Sequence, residues 1–424
     1  MSTLFYSALY VAWLAIFIWL ILKWRYFEIE NVSRKHLALF FSLKVAAGIF
    51  LTLIYTYYYT DTAKADIYRY FNDSKVISPL LFSHPVTWFK IMTGIGIDAP
   101  EVFNYYSNTH YFDHPGADMV TNNRFIIRVI VLLNYFSFSN IHINTLLFNF
   151  ISFIGLTALL KALRPYFSAF IPVLYLPLFL LPAVVFWSSG LLKETLLFAG
   201  LGFYIYGVLS YETFSKRILW ILSGALIVLL IKLHVFALLL LCSVFLPIKG
   251  LRISVLVRAM VLVLILVAAF VFAGESISNN LLEKRNEFVE LARLENAGSF
   301  FDSRTFLPTT ENLVKLLPEA VVNSIFRPFL WDTGKLFQKV FALENLLFFA
   351  LLLIPLRYFQ RPEGDKLLLC LFCLSFALFN YLVIGITIPL IGAIVHYRVI
   401  GAPFLMIAVL LCADLEKWRA VFRR

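Results

Sequence analysis

Five short segments of the chain combine charged and aromatic residues in patterns that could support chemistry. The first starts at Asp66. At helical spacing, Asp66, Arg69, Tyr70 and Asp73 share one polar face. A carboxylate beside an arginine and a tyrosine could take a proton from a hydroxyl group or bind a divalent cation. A solvated helix with an internal pair between Asp66 and Arg69 fits the spacing equally well. Asp61, nearer the preceding apolar stretch, is the alternative carboxylate.

The second segment runs from Trp187 to Glu194, between two apolar stretches. Gly190 can open the following helix, whose N-terminal amide groups favour an anion. Lys193 adds a full positive charge, so this turn is a predicted pyrophosphate site. The alternative is an interface anchor in which Lys193 pairs with Glu194 beneath Trp187.

The third segment contains Lys232 and His234, at the turn between two apolar stretches that are short for two membrane crossings. A charge deep in the apolar layer costs roughly 2.5 to 3.5 kcal/mol on insertion scales. Lys232 is therefore predicted to have a partner or to line a cavity. Lys44, in contrast, is predicted to lie near the end of its apolar stretch and to extend its ammonium group into water.

The last two segments carry arginines. Arg327 precedes a proline and has aromatic neighbours that include Trp331, and an arginine fork binds phosphate oxygens in bidentate fashion. His396, Tyr397 and Arg398 come just before the final apolar stretch. A histidine beside an arginine at that place fits a catalytic role and a structural role equally well.

Metal-capable side chains also occur at His110, Asp113, His114 and Asp118, although their spacing matches no zinc pattern strongly. The sequence has no nucleotide-binding loop and none of the common hydrolase motifs. No cofactor is predicted with certainty, and a divalent cation is left open.

These segments are set in a chain that is too apolar for a soluble core. Hydrophobic residues make up 61% of it, charged residues 14%, and the mean hydropathy is +0.85. The apolar stretches are continuous rather than alternating, which predicts helices and therefore an all-α integral membrane protein. Phe125 to Phe138 is read as a half-inserted or surface helix. About eleven spans are predicted, at residues 4–22, 37–58, 141–160, 166–186, 191–210, 217–231, 235–248, 253–273, 341–357, 366–384 and 399–413.

Basic clusters alternate along the chain with acidic and aromatic connections. The positive-inside rule places the basic connections in the cytoplasm and the others outside, with the N-terminus out and the C-terminus in. The net charge of +11 then lies in short basic connections, which are expected to contact anionic lipid headgroups rather than nucleic acid. The whole chain, 1–424, is predicted to be one membrane domain. Its long outer loops, 59–124 and 274–340, contribute the site, and amphipathic helices of the second loop are predicted to lie on the bilayer.

The chain resembles polytopic bacterial envelope glycosyltransferases with GT-C-type architecture, which use polyprenyl-phosphate-linked sugars. The resemblance implies that an acidic residue of the first outer loop, here Asp66, acts as a base or metal ligand. The late arginine- and histidine-containing segments are also similar to those of O-antigen polymerases and ligases, which are proposed to act without a metal. The resembling residues are Asp66-x-Tyr68-x-Tyr70, Phe186 to Glu194, Arg327 to Trp331 with Glu344 and Asn345, and Gly385 to Arg398.

We therefore expect an enzyme of the bacterial inner membrane, active at the periplasmic face. It would transfer a sugar or glycan from a polyprenyl-(pyro)phosphate donor to an envelope glycan, lipid or protein, with Asp66 as the base. The alternatives are a polymerase or ligase that uses His396 with the arginines, and a transporter or flippase for an amphipathic anion. Tyr70 and His396 complete the predicted catalytic set, and the predicted substrate-binding residues are Arg69, Trp187, Lys193, Glu194, Lys232, His234, Arg327, Trp331, Tyr397 and Arg398.

Overall fold

The chain is helical throughout the part that a computed structural model describes. Within that part it contains isolated β-bridges but no strand. It groups into two compact units, the first Met1–Ala162 with Val185–Phe236 and the second Leu163–Val184 with Ala237–Arg424. The described residues are 2–58, 65–112, 122–248, 250–251, 253–294, 297–302, 304–332 and 336–422.

Several helices are long and apolar enough to cross a membrane, which makes the chain an all-α multi-pass membrane protein, as its composition predicts. An 18-residue helix is about 27 Å long, close to the thickness of the hydrocarbon layer. A further pair, Ile391–Arg398 and Ala402–Leu411, is bent by 52° and passes the same test together. Among the described residues the seven continuous helices are Thr3–Lys23, Arg34–Tyr58, Ile141–Phe167, Phe214–Ile231, Val255–Leu294, Gln338–Tyr358 and Gly364–Thr387.

The first unit is built around the helix that follows the Trp187–Glu194 turn. Its helices are α1 (Thr3–Lys23), α2 (Arg34–Leu53), α3 (Asp66–Ile77), α4 (Leu80–Ser83), α5 (Pro85–Thr93), α6 (Pro100–Tyr106), α7 (Asn122–Ser137), most of α8 (Ile141–Leu163), the end of α9 (Pro182–Trp187), α10 (Lys193–Leu209), α11 (Phe214–Ile231) and the start of α12 (Leu233–Cys242).

Small residues let α10 approach its neighbours closely. A Cβ atom on Gly202 would lie 1.9 Å from the carbonyl oxygen of Gly155 in α8, and one on Gly224 in α11 would lie 2.3 Å from the backbone nitrogen of Tyr204. Contacts between small residues are the usual way in which helices pack inside a bilayer. The packing fixes the start of α10, where Lys193 and Glu194 lie.

The second unit contains α13 (Val255–Leu294), α14 (Thr310–Phe326), α15 (Leu336–Leu353), α16 (Gly364–Thr387), α17 (Ile391–Arg398), α18 (Ala402–Leu411) and α19 (Leu415–Phe422). Helix α16 is its centre, because α13, α14, α17 and α18 all pack against it. A Cβ atom on Gly385 of α16 would lie 1.9 Å from the carbonyl oxygen of Ala320 in α14. This close approach brings the end of α14 and the start of the α17 segment into one region.

The predicted span 166–186 is not one continuous helix. It contains two short 3₁₀ helices, Arg164–Phe167 and Ile171–Leu174, a π-helical turn, Leu176–Leu180, and then α9. The cause is its prolines, since each one removes a backbone N–H donor and interrupts the helical ladder. The remaining short 3₁₀ or π segments are Arg25–Phe27, Ile54–Tyr58, Ser243–Phe245 and Ile354–Tyr358.

The prediction of separate amphipathic helices after residue 274 is wrong for the first part of that loop. Helix α13 continues without a break through 40 residues, about 60 Å, which is longer than the hydrocarbon layer is thick. Its second half packs on protein, because Leu282 is fully buried in a cluster with Leu316 and Ala320 of α14. Neither proline nor a turn motif interrupts this stretch, so the helix does not stop where the apolar sequence ends.

Candidate functional site

The predicted site residues divide between the two units. Asp66, Arg69, Tyr70, Trp187, Lys193, Glu194, Lys232 and His234 lie in the first unit, and Arg327, Trp331, His396, Tyr397 and Arg398 lie in the second. Asp61, Asp113, His114 and Asp118 lie outside the described residues.

The polar face predicted for α3 exists, but part of it is turned inward. Both carboxylate oxygens of Asp73 accept backbone hydrogen bonds, from His110 at 2.8 Å and from Tyr111 at 2.9 Å, and Asp73 is buried. Tyr70 is buried as well, and its hydroxyl donates to Asn123 at 3.1 Å. These two side chains therefore connect neighbouring segments to α3.

Asp66 and Arg69 are half-buried and share a third residue that the sequence did not indicate. The Tyr111 hydroxyl donates to Asp66 Oδ1 at 2.9 Å, and Arg69 lies close enough to interact with the same hydroxyl. Burial raises the pKa of Tyr111, and the neighbouring Asp66 charge raises it further. The Asp66 carboxylate is thus held by a neutral donor. Among the described residues there is no group of three or more metal-capable His, Cys, Asp or Glu side chains.

The turn after Trp187 leads to a buried ion pair. Glu194, in the first turn of α10, accepts a hydrogen bond of 2.7 Å from Lys232, and the two side chains are only 1% and 7% exposed. The predicted break of the helix at Lys232 is confirmed, because α11 ends at Ile231 and α12 begins at Leu233. Lys232 therefore has the partner that its position demands. His234 follows on the first turn of α12.

Lys44 also reaches this turn, and the prediction that it extends into water is wrong. Its ammonium group donates to the backbone carbonyl of Ser188, to the Ser188 hydroxyl at 2.5 Å and to the Ser189 hydroxyl at 3.4 Å, and the residue is 3% exposed. The helix begins at Arg34, so Lys44 lies ten residues in, roughly 15 Å along the axis and near the middle of the apolar segment. That depth is too great for its side chain to reach either surface.

In the second unit, Arg398 binds the backbone at the end of α14. Its guanidinium donates to the carbonyl oxygens of Ile325 at 3.1 Å and Arg327 at 2.8 Å, and the side chain is 9% exposed. Arg327 already has two partners, because its Nη1 pairs with Asp332 at 2.7 Å and its Nε donates to Asn323 at 2.9 Å. A phosphate that binds two of its nitrogens would have to displace Asp332 or Asn323.

Aromatic rings surround Arg327. Its guanidinium carbon lies 4.2 Å from the centre of the Phe301 ring and 5.5 Å from that of Phe329, distances typical of cation–π contacts. Trp331 stacks on Phe329 with ring centres 5.0 Å apart, and its side chain is 79% exposed. On α17, the His396 and Tyr397 rings stack with centres 5.1 Å apart.

A cleft in the second unit brings Arg398 together with the Glu344 carboxylate. The sequence predicted Glu344 only to lie at the start of a membrane span. The cleft is narrow, with a volume of about 30 Å³. Its polar end is formed by Glu344 and Asn345 of α15 together with Arg398. Its walls are apolar and include Pro182, Val184, Phe348, Leu351 and Val399.

One polar atom at this end of the cleft has no hydrogen-bond partner among the described residues. Asn345 is 3% exposed and donates to the Phe326 carbonyl at 2.7 Å, but its Oδ1 has no hydrogen-bond partner among the described residues. Buried amide oxygens are normally hydrogen-bonded, so this oxygen can accept from a donor group that enters the cleft. The Glu344 carboxylate accepts a hydrogen bond from the backbone N–H of Ala183, and it feels the charge of Arg398 without an ion-pair contact between them.

An ion-pair network stabilises the loop beside this region. Asp302 is buried and pairs with Arg285, and with Arg304 at 3.0 Å; Arg304 in turn pairs with Glu319 at 2.6 Å. Arg285 also donates to the Ile386 carbonyl, which links α13 to α16. Arg285 lies beyond residue 273, where the sequence predicted its membrane span to end.

The chain matches no model of a known protein family, and neither a curated protein nor a solved structure matches it.

Proposed function

We propose that the protein is a bacterial inner-membrane glycosyltransferase that takes a sugar or glycan from a polyprenyl-(pyro)phosphate donor at the periplasmic face. In this proposal the chain crosses the membrane about eleven times and its acceptor is an envelope glycan, lipid or protein. The observation that carries the proposal is the cleft of the second unit, which joins apolar walls to a polar end containing Arg398 and Glu344.

The chemistry of such a donor corresponds to that of the cleft. An isoprenoid chain is a continuous apolar surface, and in this proposal it enters between Phe348, Leu351 and Val399 and widens the narrow cleft as it binds. The phosphate that leaves during transfer carries negative charge, which a fixed guanidinium such as that of Arg398 stabilises. A carboxylate repels a phosphate, so the phosphate is placed on the Arg398 side of the cleft and the acceptor hydroxyl on the Glu344 side.

Glu344 is the base that the geometry favours, because it lines the same cleft as Arg398. It would accept the proton of the attacking hydroxyl. Asn345 Oδ1 could accept a hydrogen bond from a sugar hydroxyl, which would satisfy that oxygen. Asp66 remains the rival base predicted from the sequence. His396 with the arginines remains the polymerase or ligase alternative, which also transfers glycan from a lipid-linked donor.

A transporter is the second candidate function, and the break between α11 and α12 favours it. Discontinuous helices with buried charges are typical of substrate sites in transporters. Here Lys232 lies at the break and pairs with Glu194. A transporter would move a lipid-linked anion without breaking its glycosidic bond.

The test is glycan transfer by purified protein in lipid vesicles supplied with a polyprenyl-pyrophosphate sugar and an acceptor glycan. Glu344→Gln keeps the shape of the side chain but removes its basicity. We expect it to bind the donor like the wild type while its transfer rate falls by roughly 10² or more. Glu311→Gln is the matched control, since Glu311 is exposed and pairs with Lys315 one turn further along the same helix.

Glycan transfer at the wild-type rate by Glu344→Gln would show that Glu344 is not the base. If the wild type moves the intact donor across the vesicle membrane without releasing polyprenyl pyrophosphate, the protein is a transporter and not a glycosyltransferase.

A further inference from the structure

A second pocket lies at the opposite ends of the spanning helices of the second unit from the loops that carry Arg327. Its volume is about 410 Å³. It is bounded by the start of α16, by the end of α18 and by Tyr166. The charge pattern of the sequence predicts this end to be cytoplasmic.

Backbone hydrogen bonds hold the floor of the pocket in place. The Gln360 N–H donates to the Cys412 carbonyl at 2.9 Å, and the Asp414 N–H donates to the Tyr358 carbonyl at 2.8 Å. Phe359 and Ala413 form an antiparallel bridge between the same two segments. The pocket is therefore a fixed feature of the fold, built where two chain segments leave the apolar layer side by side.

The pocket is lined by two cations and a single carboxylate. Arg361 and Lys366 both line it and are exposed, and Glu363 is the acidic residue between them. Within the described ranges, neither cation has an ion-pair partner. Other exposed lysines of this unit do have one, such as Lys315 with Glu311 at 2.5 Å and Lys284 with Glu287 at 2.5 Å. The pocket thus retains a positive charge that the protein does not neutralise.

We propose that this pocket binds the phosphate headgroup of an anionic phospholipid from the inner leaflet. The two cations would hold the phosphate, and the leucines of the wall, Leu411 and Leu415, would contact the start of the acyl chains. Basic pockets between helices on the cytoplasmic side are suited to anionic headgroups. The position at the end of spanning helices favours a lipid over a soluble anion, because the lipid supplies phosphate and an apolar chain at the same depth. The site is independent of the glycan-transfer proposal.

The experiment is lipid binding by the full chain in nanodiscs of phosphatidylcholine with a small fraction of phosphatidylglycerol or cardiolipin. Native mass spectrometry counts the lipids that stay bound after release from the disc. The test variant is Arg361→Gln with Lys366→Gln, and the control is Lys284→Gln with Lys315→Gln, which loses the same charge on exposed positions elsewhere in the unit. Arg361→Lys with Lys366→Arg keeps the charge of the pocket.

We expect the wild type, the control and the charge-conserving variant to prefer anionic lipid. The preference should fall roughly 10- to 30-fold in the test variant, the size expected for two cations near a headgroup. Anionic-lipid preference that is unchanged in the test variant would overturn the proposal. So would inorganic phosphate that binds to detergent-purified protein and depends on Arg361 and Lys366 while no lipid preference is seen, since that result assigns the pocket to a soluble anion.

Discussion

Lys232 Nζ lies 2.7 Å from Glu194 Oε1, and this pair joins the break between α11 and α12 to the first turn of α10. Both side chains are almost completely buried. An ion pair at this depth gains from the low dielectric but loses the hydration of two charges, so its net contribution to stability is small. Loss of one partner is different, because it leaves the other charge buried without its ion pair.

Single substitutions of this pair should therefore be more harmful than the double substitution. We expect Lys232→Met and Glu194→Gln each to lower the free energy of unfolding by about 3 to 5 kcal/mol. The double variant should recover most of this loss. Unfolding in mixed micelles at increasing denaturant gives the three values, and a double variant whose loss equals the sum of the two single losses would show that the residues act independently.

Lys44 provides a second test of the polar interior of the first unit. Lys44→Met keeps the length of the side chain but leaves the Ser188 groups without their donor, so we expect a loss of about 1 to 3 kcal/mol in the free energy of unfolding. Lys35→Met is the control, because Lys35 is exposed at the start of α2, and it should change stability by less than about 0.5 kcal/mol. Equal effects of the two substitutions would restore the prediction that Lys44 reaches water.

The errors and successes of sequence reasoning have physical causes that these residues illustrate. A lysine deep in the apolar layer needs a partner, so the sequence could predict that Lys232 has one. It could not predict which acid is that partner, because Glu194 lies 38 residues away in the chain. Lys44 was misjudged because its depth depends on the first residue of α2. A shift of a few residues there moves a side chain from the membrane surface to its middle.

The candidate site was also partly predictable from the sequence. Arg398 and Glu344 stand out as charges beside apolar stretches, but the cleft that unites them also needs Pro182 to Val184, more than 150 residues earlier. Such a meeting of distant segments is set by packing, as at Gly385 against Ala320. The engagement of Arg327 by Asp332 likewise depends on the local path of the chain after α14.

Asp302 should make the stability of the second unit depend on pH. Burial by itself raises the pKa of the Asp302 carboxyl, but hydrogen bonds from Arg304 and the positive charge of Arg285 outweigh it and leave the pKa below its usual value. A carboxyl of this kind stabilises the fold above its unfolded pKa, about 3.9, and this contribution is lost as the pH falls through the lower folded value.

The corresponding variant is Asp302→Asn. We expect its unfolding midpoint to lie below that of the wild type at pH 6, because Arg285 loses its buried partner. The difference should shrink as the pH approaches about 3 and the wild-type carboxyl begins to take up its proton. A difference that stays constant over this range would show that the charge of Asp302 makes no contribution.

Substitution of Asp66 distinguishes between the two candidate bases, Glu344 inferred from the cleft and Asp66 predicted from the sequence. If Glu344 takes the proton, Asp66→Asn should transfer glycan within about threefold of the wild-type rate, because the amide oxygen can still accept from Tyr111. Tyr111→Phe should behave similarly. A fall of roughly 10² in Asp66→Asn with donor binding intact would move the chemistry to α3.

The most direct measurement is a structure, determined by cryo-electron microscopy, of the protein in nanodiscs with a non-hydrolysable polyprenyl-pyrophosphate sugar. The isoprenoid should lie in the cleft of the second unit along Phe348, Leu351 and Val399, with its phosphate at Arg398 and the sugar directed to Glu344 and Asn345. An empty cleft in a structure that holds the donor against residues of the first unit, such as Lys193 or Asp66, would contradict this account.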